Sequence, residues 1–223
     1  MLRHIIFDCD GVLWHGTNEG YFLCYHRAAL EAGIEMEFGL ARERILQNWG
    51  QSARIEVEGM IPEFPDRIDE VTANYRRLVR SDLFLQTAAE VPGVHGCLAA
   101  LARDHALSVI TGMNGDNLPR LLGRFGMRDY FRHAISTADT EDPDKQKPTG
   151  YHLRRLLQFE GLDPQDVLCV GDATSDILMA RSQSAPIVIV LTGHLTEAEA
   201  RDHGIADILP SVAELPAWVQ RRR

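Results

Sequence analysis

The chain has 223 residues, 45% of them hydrophobic, with 23 basic side chains against 32 acidic ones and a net charge of −9. That is enough apolar material for one sizeable domain, or for a core domain with a smaller companion. The acidic balance, with no basic stripe, excludes a generic nucleic-acid binder, and the three arginines at 221–223 read as a frayed, solvated end.

Residues 3–14 read RHIIFDCDGVLW. The apolar run at 5–7 predicts a short buried strand that opens into Asp8-Cys9-Asp10-Gly11. Alternation sends the side chains of Asp8 and Asp10 roughly the same way. Two like charges so close repel, and burial raises at least one pKa. The pair is costly unless a cation or a reaction uses it; the plain alternative is an acidic turn that caps a helix. After a polar break at 15–18, residues 19–32 carry Tyr21, Phe22, Tyr25, Ala28, Ala29 and Ala32 at helical spacing and stop at Gly33. A second helix is predicted over 40–49, ending at Gly50. Residues 55–60 are ambiguous. Pro62 and Pro65 punctuate, and 66–79 are helical, with Ile68, Val71, Tyr75, Leu78 and Val79 on one face. Residues 16–87 therefore read as all-helical.

From Val91 the pattern changes. Helices are predicted over 94–104, 116–125, 150–159, 175–183 and 197–203. Between them lie apolar strands at 107–110, 133–135, 167–170 and 187–191, with a last short one at 208–209. Strands alternating with helices at this spacing imply a parallel sheet covered on both faces. The expected fold is α/β: a doubly wound core from residues 1–15 and 88–223, interrupted by an all-helical domain at 16–87.

Three more strand ends or loops carry chemistry. The second core strand runs into Thr111-Gly112-Met113-Asn114, where a hydroxyl and exposed amides can hold a phosphoryl group; Asn114 as a simple cap is the bland alternative. Asp144-Lys145-Gln146-Lys147-Pro148 offers a positive charge, or else only a solvated loop encouraged by Asp139, Glu141, Asp142 and Asp144. An apolar strand at 167–170 feeds Gly171-Asp172 and then Asp176. Two acids four apart at a strand end suit a hard cation such as Mg²⁺; the alternative is that Asp172 or Ser175 caps a helix. A doubly wound sheet binds ligands at the carboxyl ends of its strands, which would gather these residues.

Other chemistries find little support. Cys9, Cys24, Cys97 and Cys169 are widely spaced and the nine histidines are scattered, so neither a zinc site nor a disulfide framework is expected. Cys9 and Cys169 read as small buried hydrophobes. No leader pattern stands at the N-terminus. The apolar run at 187–191 is far too short to span a bilayer. A cytoplasmic protein without nucleic-acid or membrane partners is the expectation.

Asp8-Cys9-Asp10-Gly11-Val12-Leu13 after an apolar strand, followed in order by Thr111, Lys147 before Pro148, and Asp172 with Asp176, resembles the four motifs of the haloacid dehalogenase (HAD) superfamily. The resemblance covers essentially the whole chain. An insertion after the first motif, and the tail from Leu191-Thr192-Gly193-His194, are similar to the branch with a helical cap that includes phosphoglycolate phosphatase and β-phosphoglucomutase. It implies a Rossmann-like core and a cap at 16–87 that opens and closes. Asp8 would be the nucleophile that forms an aspartyl-phosphate, and Asp10 the acid and base. Thr111 and Gly112 would hold the phosphoryl group, and Lys147, chosen over Lys145, would balance its charge. Mg²⁺ would be held by Asp8, the Asp10 carbonyl, Asp172 and, directly or through water, Asp176. Dehalogenases lack the second acid, so Asp10 points to phosphorus chemistry. The chain departs from the pattern at His15-Gly16, where Asp-Ser is common, and at Gly150, where a second proline is common. Gly20 stands near the position where the mutase pattern has histidine, with His26 expected to face helix packing. Arg42, Arg44, Gln51, Ser52 and Arg54 are candidates to reach the leaving group, with Trp49-Gly50-Gln51 as a specificity loop. The implied function is a Mg²⁺-dependent phosphohydrolase of a small phosphorylated metabolite, as a monomer or small homo-oligomer. A phosphomutase and a catalytically silent binding protein on the same fold remain as alternatives.

Overall fold

The apolar run that opens the chain forms β1 (His4–Phe7), buried at all four positions. The computed structural model describes residues 1–49, 51–138 and 142–222. After β1 come β2 (Trp14–His15), α1 (Thr17–Glu31), α2 (Phe38–Leu46), α3 (Ala53–Met60), α4 (Ile68–Leu78), α5 (Asp82–Leu85) and β3 (Ala89–Glu90). The α/β alternation follows: α6 (Val94–Leu101), β4 (Ala106–Thr111), α7 (Asn117–Arg124), β5 (His133–Ser136), α8 (Tyr151–Glu160), β6 (Val167–Gly171), α9 (Thr174–Ser182), β7 (Ile187–Val190), α10 (Glu197–Asp202), β8 (Ile208–Leu209) and α11 (Leu215–Gln220).

The chain divides into two compact units, Met1–His15 with the segment from Ala89 onward, and Gly16–Ala88. In the first, six parallel strands lie in the order β5-β4-β1-β6-β7-β8. β1 is central, hydrogen-bonded to β4 on one side and β6 on the other, with Phe7 opposite both Val109 and Val170. Continuous burial along β1, β4 and β6 is the mark of a sheet covered on both faces. Ile6, Ile110, Leu153, Leu156, Val167 and Met179 share one cluster against the sheet. The chain passes from β1 to β4 and β5 on one side and returns to β6, β7 and β8 on the other. That reversal, beside β1, is where such a sheet opens a crevice at its carboxyl ends.

The helical unit is built on α1, whose Phe22, Cys24, Tyr25, Ala28 and Ala29 are buried. The Tyr25 and Tyr75 rings stack with centroids 3.6 Å apart. The Tyr25 hydroxyl donates to the buried Glu56 carboxylate, and burial pushes both phenols up. Residues 55–60, ambiguous in the sequence, belong to α3, whose start is capped by the Ser52 hydroxyl accepting from the Ile55 N–H at 3.5 Å. The helix predicted over 40–49 is shorter, because residues 47–49 form a turn; its predicted stop, Gly50, lies outside the described residues.

Several features escaped the sequence pattern. β2 and β3 pair as a two-residue antiparallel ribbon, too short to show alternation. α11 is a further helix, with Leu215 and Val219 inward. The basic tail is not frayed where it is described: Arg222 pairs with Asp207 and its guanidinium lies 4.3 Å from the Trp218 ring centre. Arg223 lies outside the described residues. All four cysteines are buried thiols. Among the described residues no helix is long and apolar enough to cross a membrane.

His4 is 1% exposed, and its Nε2 shares a hydrogen bond of 2.8 Å with the Ser108 hydroxyl on β4. Burial holds its pKa down at about 4, with Glu160 partly opposing that and His133 and Arg132 adding to it. A folded pKa below the unfolded value means the unfolded chain takes the proton first, so stability falls as pH drops from about 6.5 towards about 4. His4→Gln keeps a partner for Ser108 and removes this term. Between pH 7 and pH 5 the wild type should lose about 2 kcal/mol more than His4→Gln, judged by urea midpoints. Parallel losses in the two proteins would show that His4 does not titrate with folding.

Candidate active site

Asp8 directly follows β1, and its N–H continues the sheet by donating to the Val170 carbonyl at 2.8 Å. The chain then turns sharply. The Leu13 N–H reaches back to the Cys9 carbonyl at 2.8 Å, and the Gly11 N–H donates to the Trp14 carbonyl at 2.7 Å. Gly11 has φ +73°, a left-handed conformation that side chains resist. A Cβ there would also lie 2.4 Å from the Asp172 Oδ2. Close approach and backbone conformation both demand glycine.

β6 delivers Asp172 beside Asp8, and the first turn of α9 delivers Asp176. The Asp176 Oδ2 accepts the N–H groups of Asp172 and Ala173 at 3.2 and 3.1 Å. This is a helix N-terminus holding a carboxylate through backbone amides. Capping does operate here, then, but through Asp176, and its other oxygen is used differently. The Lys147 Nζ lies 2.6 Å from Asp176 Oδ1 and 2.7 Å from Asp8 Oδ1. The three side chains are 3%, 7% and 10% exposed for Asp176, Lys147 and Asp8. Lys145 instead pairs with Asp142 at 2.8 Å on the surface. The acids at 139 and 141 of the same loop lie outside the described residues.

One carboxylate oxygen from each of Asp8, Asp172 and Asp176 lies within 4.8 Å of the others. Burial pushes the Asp8 carboxyl up; Lys147 opposes this and Asp176 adds to it. Burial also raises Asp172, to about 8, with Asp8 and Asp176 adding and the His194 N–H opposing. For Lys147 burial favours the neutral amine, but Asp176 and Asp8 outweigh it and hold the charge. Three carboxyl groups share one ammonium in a poorly solvated place, so full ionisation of all three calls for further positive charge. Hard oxygen donors at this spacing, short of positive charge, fit a divalent cation of the Mg²⁺ type.

On the other side of β1, Thr111 ends β4. Its hydroxyl accepts the Met113 N–H at 3.2 Å, while a Cβ built on Gly112 would meet nothing within 4 Å. This turn is tied to its neighbours. The Ser136 hydroxyl donates to the Met113 carbonyl at 2.6 Å, the Thr137 N–H to the Thr111 carbonyl at 2.8 Å, and the Lys147 N–H to the Thr137 hydroxyl at 3.3 Å. The Asn114 side chain accepts the Asp116 N–H at 2.8 Å in the turn ahead of α7, whose N-cap position is Asp116. Asp10 is fixed by the Trp14 indole, whose Nε1–H donates to Oδ1 at 3.0 Å. A Cβ at Gly150 would lie 1.9 Å from the Ser182 hydroxyl, so a proline there would require the Ser182 and Gln183 side chains to shift.

Two elements at the site went unassigned from sequence. One is Trp14. The other is the turn after β7, where the Thr192 hydroxyl donates to the Gly11 carbonyl and the His194 N–H donates to Asp172 Oδ2 at 2.8 Å. A Cβ on Gly193 would lie 1.8 Å from that same oxygen. The signal was present: Leu191-Thr192-Gly193 after β7 repeats the form of Ile110-Thr111-Gly112 at the end of β4.

The candidate specificity residues stand in the helical unit. Arg54 pairs with Glu58 at 3.1 Å and with Asp69. Arg44 pairs with Glu63 at 2.6 Å, and Arg42 with Glu19 at 3.2 Å. Ser52 is the cap of α3, and the Gln51 N–H donates to the Asn48 carbonyl at 3.1 Å. Trp49 packs its ring 4.7 Å from that of Phe22, and Gly50 of this loop lies outside the described residues. His26 bonds the Met36 carbonyl at 2.8 Å within the helix packing.

Known proteins share this architecture. A phosphoglycolate phosphatase of Rhodospirillum rubrum is 27% identical over 98% of this chain and 91% of its own length. One from Vibrio vulnificus is 28% identical over 81% of the chain and 80% of its own. A crystal structure of a predicted phosphoglycolate phosphatase from Haemophilus somnus superposes with a TM-score of 0.79 at 20% identity, covering 98% of each chain. The family model for haloacid dehalogenase-like hydrolases matches residues 2–183, a span that takes in Asp8, Thr111, Lys147, Asp172 and Asp176. With that match over most of its length, the chain belongs to the haloacid dehalogenase-like hydrolase family.

Proposed function

We propose that this protein is a Mg²⁺-dependent phosphatase of a small phosphorylated metabolite, acting through an aspartyl-phosphate on Asp8. The observation that carries the reading is the Lys147 ammonium bridging Asp8 and Asp176 at 2.7 and 2.6 Å, beside a third buried acid, Asp172. A fold gains little from three buried carboxylates on one lysine; phosphoryl transfer needs such a set.

In the first step an Asp8 oxygen attacks phosphorus. The P–O bond to the leaving group breaks, its electron pair goes to the leaving oxygen, and Asp10 gives that oxygen a proton. In the second step water attacks the same phosphorus while Asp10 takes its proton. The bond from phosphorus to the Asp8 oxygen breaks, which restores the carboxylate and releases phosphate. The Thr111 hydroxyl and the Gly112 amide hold the phosphoryl oxygens, and Lys147 offsets charge on Asp8 and on the phosphoryl group. Mg²⁺, held by Asp8, Asp172, the Asp10 carbonyl and, directly or through water, Asp176, would supply the positive charge that draws the phosphoryl oxygens to the carboxylates.

The relatives named phosphoglycolate phosphatase support a small anionic phosphate ester, with 2-phosphoglycolate as the first to try. The helical unit serves as the cap that selects it, with residues 49–51 the first place to seek specificity. The mutase alternative loses support at Gly20, where a Cβ would lie 2.4 Å from the Phe84 carbonyl, so this position holds no side chain. A panel of phosphate monoesters, assayed with Mg²⁺ and with chelator, tests the proposal. The expected result is Mg²⁺-dependent release of inorganic phosphate. Isomerised sugar phosphate in place of free phosphate would favour the mutase, and no release across the panel would sink both.

A further inference from the structure

We infer that Trp14 is a positioning residue for proton transfer by Asp10, acting through its indole N–H. The inference rests on the aspartyl-phosphate reading above. Trp14 is fully buried, with its ring against Phe125 at 5.9 Å between centroids. Its backbone is held as firmly. Its N–H donates to the Cys9 carbonyl at 3.3 Å, its carbonyl accepts the Gly11 N–H at 2.7 Å, and it pairs with Glu90 in the β2–β3 ribbon. A side chain so placed is a fixed reference for whatever it touches.

An indole has one polar atom, and that atom only donates. Buried, it requires an acceptor, and the acceptor here is Asp10 Oδ1 at 3.0 Å. Two consequences follow from this geometry. The rotation of the Asp10 carboxyl is restrained, because turning it breaks the bond to a donor that cannot follow. The oxygen facing the indole also stays an acceptor, and the transferable proton is assigned to Oδ2. That proton passes from Oδ2 to the ester oxygen as the leaving group departs. Oδ2 receives one back from the attacking water as the Asp8–phosphorus bond breaks. Apolar bulk alone, as in phenylalanine, would fill the pocket without selecting an oxygen.

The leaving group separates this role from packing. An alkyl alcohol leaves only with a proton, whereas p-nitrophenolate leaves without one. Wild type, Trp14→Phe and a protein carrying benzothienylalanine at position 14 should therefore be compared on 2-phosphoglycolate, or the best alkyl ester of the panel, and on p-nitrophenyl phosphate. Benzothienylalanine keeps the bicyclic shape and replaces the N–H by sulfur, so it decides the question if Trp14→Phe fails to fold. The expected result is a fall in kcat of about 10- to 100-fold on the alkyl ester and less than about threefold on the aryl ester, with KM little changed. In an Asp10→Asn background the substitution should add nothing further. Equal losses on both esters, or no loss, would overturn the role and leave Trp14 a packing residue. A wild type that hydrolyses neither ester would overturn the phosphatase reading, and this inference with it.

Discussion

Asp8→Asn should stop turnover while leaving the protein folded. The amide keeps the size of the carboxyl but cannot attack phosphorus, so kcat on the best monoester should fall by on the order of 10⁴ to 10⁶, as when other covalent nucleophiles are removed. The variant keeps a carboxylate partner for Lys147, whose Nζ also lies 2.6 Å from Asp176 Oδ1, and burial already disfavours the Asp8 charge that the amide removes. Circular dichroism and a melting curve close to those of the parent, together with lost phosphate release, would establish the role. Rapid acid quenching with labelled substrate adds a second reading: the parent should carry phosphate on the peptide containing Asp8, and the variant none. Turnover retained by Asp8→Asn would sink the mechanism, whatever the substrate.

Lys147→Met should damage both activity and stability, and Mg²⁺ should separate the two effects. The methionine preserves most of the length of the side chain and removes the ammonium shared by Asp8 and Asp176. Turnover should fall by about 10²- to 10³-fold, the scale of losing one preorganised charge at a transition state. Without metal, the buried acids then lose the ammonium that bridges two of them, and breaking such a set costs about 3–5 kcal/mol. The pH dependence has a defined sign. Carboxyls whose folded pKa is raised weaken the folded state as pH rises above the unfolded value, so metal-free Lys147→Met should regain stability as pH falls from 8 to 5. Mg²⁺ should raise its melting temperature more than it raises that of the parent. A variant that melts like the parent in chelator at pH 8 would show that the ammonium does not offset these acids.

Much of this site was legible because its chemistry is local in the chain. Three of the four motifs are an apolar run that ends at its polar group: Phe7 before Asp8, Ile110 before Thr111, Val170 before Gly171 and Asp172. A strand buried on both faces has to be continuously apolar, so its end, where the polar residues begin, is visible without coordinates. The six-stranded sheet and the helical segment between its first two strands were legible for the same reason. What escaped was either too short for a period or dependent on distant partners. β2 and β3 have two residues each and show no alternation. The indole bond to Asp10 spans one turn, but nothing in the order of letters says which way Trp14 points.

The choice between two lysines shows where one kind of information ends and the other begins. Lys145 and Lys147 stand two apart in one acidic loop, and only a family resemblance, the following Pro148, distinguished them. The fold separates them physically: Lys145 pairs with Asp142 at the surface, and Lys147 reaches two acids 139 and 29 residues away. The arginines of the helical unit mark a similar limit. Arg42, Arg44 and Arg54 read as candidates for a leaving group, and each has an acidic partner in its own unit. By itself the sequence determined the strand-and-helix alternation, the insertion, and the identity and order of the acids, the threonine and the lysine, because composition and period are written along the chain. Only the tertiary structure decided which of those groups meet, that Thr192 reaches Gly11 while Gly193 and His194 close over Asp172, and that an indole N–H faces Asp10. Those are distances between residues far apart in sequence or directions of single side chains, and packing alone fixes them.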